Sequence, residues 1–96
     1  MGANDELTDK IKKVIRQIAG KLSDTDGPLL PEYKIKGSGI IYCLSADNRK
    51  FVKVSRGISA YIIEEFYDTQ MRTLIYTIYG DMVLIEHEQL ELIGFE

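Results

Sequence analysis

The chain has little of the chemistry that usually announces a function. Its 96 residues include one cysteine, Cys43, and one histidine, His87. A lone cysteine cannot build an intrachain disulfide framework. A single histidine without a cysteine pair at ligand spacing does not make a zinc site, so no metal and no cofactor is expected. Glycine and proline together supply 10 residues, too few for a low-complexity linker or a collagen-like repeat. Apolar runs such as Met82–Ile85 fall far short of the ~20 residues of a membrane-spanning helix. No basic segment followed by an apolar stretch opens the chain, so a signal peptide is not expected. Met1-Gly2 resembles the start of a myristoylation site, but Glu6 stands where Ser or Thr is needed. What these absences leave is a small soluble domain over residues 1–96, expected to be cytoplasmic and not membrane-bound.

Charge is more informative. The net charge of −3 hides an asymmetry: residues 1–57 carry 11 basic and 7 acidic side chains, while residues 58–96 carry Arg72 against 8 acidic ones. Such a split suits a basic nucleic-acid-facing half, an acidic partner-facing half, or simple pairing of opposite charges within the fold. The acidic pI near 5.1 argues against strong nonspecific nucleic-acid binding.

Residues 5–22 read as an amphipathic helix. Leu7, Ile11, Val14, Ile15, Ile18 and Leu22 follow the 3–4 spacing of one core-facing stripe. Asn4 or Asp5 can cap its start, and Gly20 and Gly27-Pro28 supply stop signals. Residues 23–32 form a loop whose Leu29 and Leu30 are expected to tuck back onto the core. From residue 33 to 96 the pattern is β-rich. Residues 39–45 and 51–55 flank a polar turn around Asp47-Asn48. That turn pairs Cys43 with Val52, Ile41 with Val54, Tyr42 with Lys53 and Leu44 with Phe51. The first two pairs make an apolar face; the others mix aromatics with a cation. Residues 58–70 carry a helical stripe at Ile58, Ile62 and Phe66 and predict a second helix, although Ile, Tyr and Phe also favour strands. Residues 72–79 and 82–87 around Gly80-Asp81 form a further hairpin, and Leu90–Phe95 a last strand.

With Tyr79 paired to Met82, that second hairpin is apolar on both faces. One holds Leu74, Tyr76, Ile78, Val83, Ile85 and His87. The other holds Ile75, Thr77, Tyr79, Met82 and Leu84. One helix covers one side of a sheet, so the other side needs a second helix at 58–70, closure into a small barrel, or another polypeptide. The expected architecture is therefore α+β: an N-terminal helix on a four- to six-stranded antiparallel sheet or small open barrel.

No catalytic constellation converges. His87 lies between Glu86 and Glu88, which point away from it on a strand. Cys43 sits mid-strand without a base nearby in sequence. Gly37-Ser38-Gly39 lacks the remaining residues of a phosphate-binding loop. The expectation is a non-enzymatic interaction or regulatory module. It would self-associate or bind a partner protein through Ile75, Thr77, Tyr79, Met82 and Leu84. The alternative is a nucleic-acid-binding β domain that uses Lys34, Lys36, Tyr42, Arg49, Phe51 and Lys53, with aromatics interleaved between cations.

Overall fold

The computed structural model describes residues 2–94 apart from Asp24, Asp26 and Asn48. A helix α1 (Gly2–Ile18) precedes seven strands: β1 (Glu32–Ile35), β2 (Ile40–Ser45), β3 (Phe51–Ser55), β4 (Ser59–Glu64), β5 (Thr73–Thr77), β6 (Met82–Ile85) and β7 (Leu90–Gly94). A short 3-10 turn, His87–Gln89, links β6 to β7. The strands form one sheet in the order β3-β2-β6-β5-β4-β1-β7, and every neighbouring pair is antiparallel. The α+β class is as expected, with seven strands rather than four to six. No described helix is long and apolar enough to cross a membrane.

The helix ends earlier than its apolar stripe suggests. Gly20 adopts φ +72°, Gly20 N–H donates to the Gln17 carbonyl and Lys21 N–H to the Arg16 carbonyl. This is a glycine C-cap in which the left-handed residue turns the chain out of the helix. Asn4 and Asp5 lie within the span of α1, and their side chains are outside the described residues. Gln17 then pins the following loop: its amide donates to the Leu30 carbonyl at 3.0 Å and accepts from Leu30 N–H at 2.8 Å. Leu30 packs on the core as expected, whereas Leu29 stays exposed.

Residues 58–70 are not a helix. Ser59–Glu64 is the strand β4, and residues 65–72 are loop. Its position between β1 and β5 gives the reason: a central strand buried on both faces reads as a continuous apolar run, without the alternation that marks a half-wet strand. Ala60 and Ile62 turn to one side, Tyr61 and Ile63 to the other. A β-bulge between Ile62 and Glu64 bends the strand at its end.

The two faces are covered in different ways. The outer face of β4–β6 presents Tyr61, Ile63, Leu74, Tyr76, Met82 and Leu84, and α1 lies on it through Leu7, Ile11, Val14 and Ile18. The inner face has no covering helix among the described residues. Its core of Ile35, Cys43, Val54, Ala60, Ile75, Val83, Ile85 and Leu90 takes at least one side chain from every strand. Each of these eight is at most 7% exposed, so the sheet curls until it covers itself, as twisted antiparallel sheets do when they approach a barrel. Arg56, just after β3, fastens the two ends of the sheet order. Its Nη1 donates to the Lys36 carbonyl at 3.0 Å and to Gln89 Oε1 at 2.9 Å, while Lys36 N–H donates to the Gln89 carbonyl.

The first hairpin has the expected register throughout, from Ile41↔Val54 to Leu44↔Phe51. The second does not. Met82 partners Tyr76 rather than Tyr79, and Val83 partners Ile75. The turn is longer than Gly80-Asp81 because Thr77 organises it. The Thr77 hydroxyl accepts N–H bonds from Tyr79 and Asp81 at 3.3 and 3.1 Å, and Gly80 takes φ +91°. A shift by an odd number of residues inverts the faces of one strand relative to the other. Leu74 and Tyr76 therefore share the helix side with Met82 and Leu84, and Ile75 shares the inner side with Val83. Asn48 and Phe95 lie outside the described residues.

Candidate functional site

The β2–β3 hairpin reaches beyond the helix. Its turn is tied by short-range bonds: Ser45 Oγ donates to Asp47 Oδ1, which also accepts Arg49 N–H at 3.1 Å, and Ser45 N–H donates to the Lys50 carbonyl. The bonds that Asp47 accepts, the Ser45 hydroxyl's first and Arg49 N–H next, hold its carboxyl below its usual range. With the turn set, the inner residues Cys43 and Val54 enter the core and the outer residues face solvent. Tyr42 is 64% exposed, Phe51 69% and Ile40 49%. Tyr42 stands opposite Lys53, and Phe51 is its diagonal neighbour on the same face.

Beside this face the sheet splits. Pairing of β2 with β6 is confined to Leu44↔Leu84 and Ser45↔Val83. Beyond Ile85 the chain turns into His87–Gln89, drawn away by the bond from Lys36 N–H to the Gln89 carbonyl. The divergence opens a cleft of about 260 Å3 between Tyr42 and Leu44 on one side and Ile85 and Glu86 on the other, with Phe51 at its rim and Gln70 and Arg72 above it.

That upper wall is the loop 65–72, which is strained and stapled. Phe66 and Met71 hold φ +52° and +60°, a left-handed conformation that costs side-chain-bearing residues about 1–3 kcal/mol each. Asp68 holds it in place. Its Oδ1 accepts N–H bonds from Gln70 and Arg72 at 3.1 and 2.9 Å, and its Oδ2 accepts Arg72 Nε at 2.7 Å. Arg72 Nη2 lies 2.6 Å from the same oxygen. The Arg72 backbone N–H leads these effects, which together keep the Asp68 carboxyl below the usual carboxylate range. The result is an apolar rim of Phe66 and Met71 held out in solvent. A second hollow of about 360 Å3 lies between them and Glu86–Glu88. Gln70 and Glu86 line both hollows, so the cleft and this rim form one continuous surface.

Comparison with known protein families, curated proteins and solved structures finds no match to this chain.

The expected partner face is not assembled. Ile75 and Thr77 are fully buried on the inner side, Leu84 and half-buried Met82 lie under the helix, and Tyr79 projects alone from the turn, 73% exposed. Of the nucleic-acid candidates, Tyr42, Phe51 and Lys53 do come together on the outer hairpin face, with Arg49 exposed at its turn. Lys34 sits instead on β1, 3.8 Å from Glu91, and Lys36 follows β1 where Arg56 holds its carbonyl.

The remaining chemical candidates are occupied structurally. Burial pushes the Cys43 thiol up to about 11, partly offset by the Arg56 charge, so at neutral pH it is protonated and a poor nucleophile. His87 Nδ1 lies 3.1 Å from the Thr73 hydroxyl, and its ring sits 5.4 Å from that of Phe66. No cluster of metal-ligating side chains occurs among the described residues. Sequence reasoning missed the cleft and the rim of Phe66, Gln70, Met71 and Arg72. The available signal was Asp68 four residues before Arg72, within a polar break in the apolar run.

Proposed function

We propose that the chain is a small non-enzymatic interaction module that binds a partner protein, or a second copy of itself, through an apolar sheet face. The face is the outer side of the β2–β3 hairpin together with the adjoining cleft. One observation carries this reading. Tyr42 and Phe51 remain about two-thirds exposed at the rim of a cleft, while the outer residues of β4–β6 are covered by α1. Clustered exposed aromatics at the edge of a concavity are the composition of interface cores. The absence of catalysis is supported by the protonated state of Cys43 and the structural engagement of His87. A cytoplasmic setting belongs to the same proposal and is supported by the free thiol of Cys43, which suits a reducing compartment.

The test places a photo-crosslinking side chain at Phe51 and, as a control, at exposed Lys12 on α1, alongside sedimentation over a range of concentrations. The reading expects a discrete adduct from position 51 that Tyr42→Asp suppresses. A strictly monomeric protein with no adduct at 51 beyond that at 12 would end it.

A second reading rests on the register that sets Lys53 opposite Tyr42 with Phe51 beside them. That alternation of cation and ring is the arrangement on which single-stranded bases stack. Anisotropy titrations of labelled oligonucleotides at about 50 and 200 mM salt separate the two readings. Salt-sensitive binding that is lost on Lys53→Glu would transfer the face to nucleic acid.

A further inference from the structure

The split between β2 and β6 is an interruption inside a sheet, and the ladder on either side shows what it lacks. Along an antiparallel strand, successive residues turn their N–H and C=O groups to opposite neighbours. Ser45 N–H donates to the Lys50 carbonyl, and Arg56 N–H to the Gly39 carbonyl. The odd-numbered residues of β2 therefore bond to β3. Ala46 N–H donates to the Met82 carbonyl, and Leu44 partners Leu84, so the even-numbered residues face β6. The next even-numbered residues are Tyr42 and Ile40. Continued at the same register, β6 would offer them Glu86 and Glu88, but there the chain has already turned into His87–Gln89. The Glu86 carbonyl accepts Gln89 N–H instead. Among the described residues no strand meets the backbone groups of Ile40 and Tyr42 on this side, and Tyr42 lines the cleft there.

We propose that this interrupted ladder binds an extended segment of a partner protein, which adds as a short strand beside Ile40–Tyr42. The inference rests on the interaction-module reading above and names its occupant. Alternating donors and acceptors about 7 Å apart, the repeat of two strand residues, are matched by another extended backbone. Phosphates supply acceptors alone, and a lipid surface supplies no such alternation. Alternate side chains of the added segment would lie on the outer face by Tyr42, Leu44 and Phe51, and the others would turn inward by Ile41, Cys43 and Ile85. This division between backbone affinity and side-chain pockets is how strand addition works elsewhere. Charge narrows the partner further. The hairpin carries Arg49, Lys50 and Lys53 against Asp47, while Glu86 stands on the facing wall of the cleft. The segment that fits is apolar at alternate positions and acidic at the end beside Lys53.

The experiment uses the whole isotope-labelled chain and a displayed library of octapeptides with acidic ends and randomised β-branched or apolar centres. The best binder is then resynthesised with N-methyl groups on one or the other set of alternate amides. Strand addition expects saturable binding and amide exchange at Ile40 and Tyr42 slowed about tenfold or more. It also expects loss of binding with one methylated series and retention with the other. Tyr42→Pro, which removes a donor aimed at the gap, should weaken binding; where that variant does not fold, the methylated peptides still decide. Equal binding by both methylated series, with shifts confined to the Tyr42 and Phe51 side chains, overturns strand addition and leaves the interaction module standing. No library binder, with a protein that stays monomeric and gives no crosslink from position 51, overturns both. A dimer that protects the same amides without peptide overturns the separate partner in favour of a second copy. Salt-sensitive protection of those amides by a single-stranded oligothymidylate overturns a polypeptide occupant altogether.

Discussion

Replacing Ile75 and Phe51 by alanine, one at a time, tests the register on which the site depends. The two residues are both large and apolar, yet the structure puts them in opposite circumstances. Ile75 is fully buried in the inner core, and Phe51 is 69% exposed on the outer face. Ile75→Ala removes three carbons, worth about 0.8 kcal/mol each in transfer alone. The cavity left in a core to which every strand contributes raises the total to about 3–4 kcal/mol. For a chain of this size that lowers the melting temperature by about 15–25 °C. Phe51→Ala loses a cross-strand contact with Leu44 and some strand preference, about 0.5–1 kcal/mol. Urea titrations followed by circular dichroism measure both, and equal slopes confirm that the same surface unfolds. A Phe51→Ala cost above about 2 kcal/mol, independent of protein concentration, would refute the exposed assignment, since truncations that large arise from burial. The same cost appearing only at high concentration would place a second copy over the face.

Further expectations concern the fastenings. Arg56→Ala removes the bonds to the Lys36 carbonyl and Gln89; it should destabilise by about 1–3 kcal/mol and speed amide exchange at Lys36, measured by NMR. Native Cys43 should react with a thiol reagent at pH 8 only as fast as the core opens, because burial has raised its pKa to about 11; rapid stoichiometric labelling would contradict that burial. Asp68 is a carboxylate whose folded pKa is depressed, so its support of loop 65–72 is present above the ordinary carboxylate pKa and is lost as pH falls through the lower folded value. Proteolytic nicking within the loop should increase over that acidic range, and Asp68→Asn should remove the pH dependence. Thr77→Val, which deletes the acceptor for Tyr79 and Asp81 N–H, should cost about 1–2 kcal/mol by denaturant titration; a neutral result would favour the shorter Gly80-Asp81 turn.

The two hairpins show what made parts of this fold legible. In β2–β3 one face is apolar and the other carries Tyr42, Phe51 and Lys53, so only one register keeps the apolar set together, and the structure has it. In β5–β6 both faces are apolar, because α1 covers one and the curled sheet covers the other. A three-residue slip then leaves every position acceptable by hydrophobicity, and the Thr77 hydroxyl decides. The same two-sided burial disguised β4 as a helix. The exposed aromatics were readable as an alternation along a strand. The cleft was not, since it arises from two strands distant in sequence parting after Leu44↔Leu84.

The place of β1 in the sheet bears on how the protein is made. β1 lies between β4 and β7, and Ile35 partners Leu90 while Tyr33 partners Leu92. A strand near the beginning of the chain is thus completed by one near its end. On the ribosome, α1 and the β2–β3 hairpin can form from nearby residues, but one side of β1 waits until β7 has emerged. Loop closure over such a span is slow compared with local pairing. Until then β1 presents a bare edge and an apolar Ile35 to whatever is nearby, the condition in which nascent β chains pair wrongly. Once β7 has emerged, Arg56 bonds Lys36 and Gln89 together and so joins the two distant strands at their shared end.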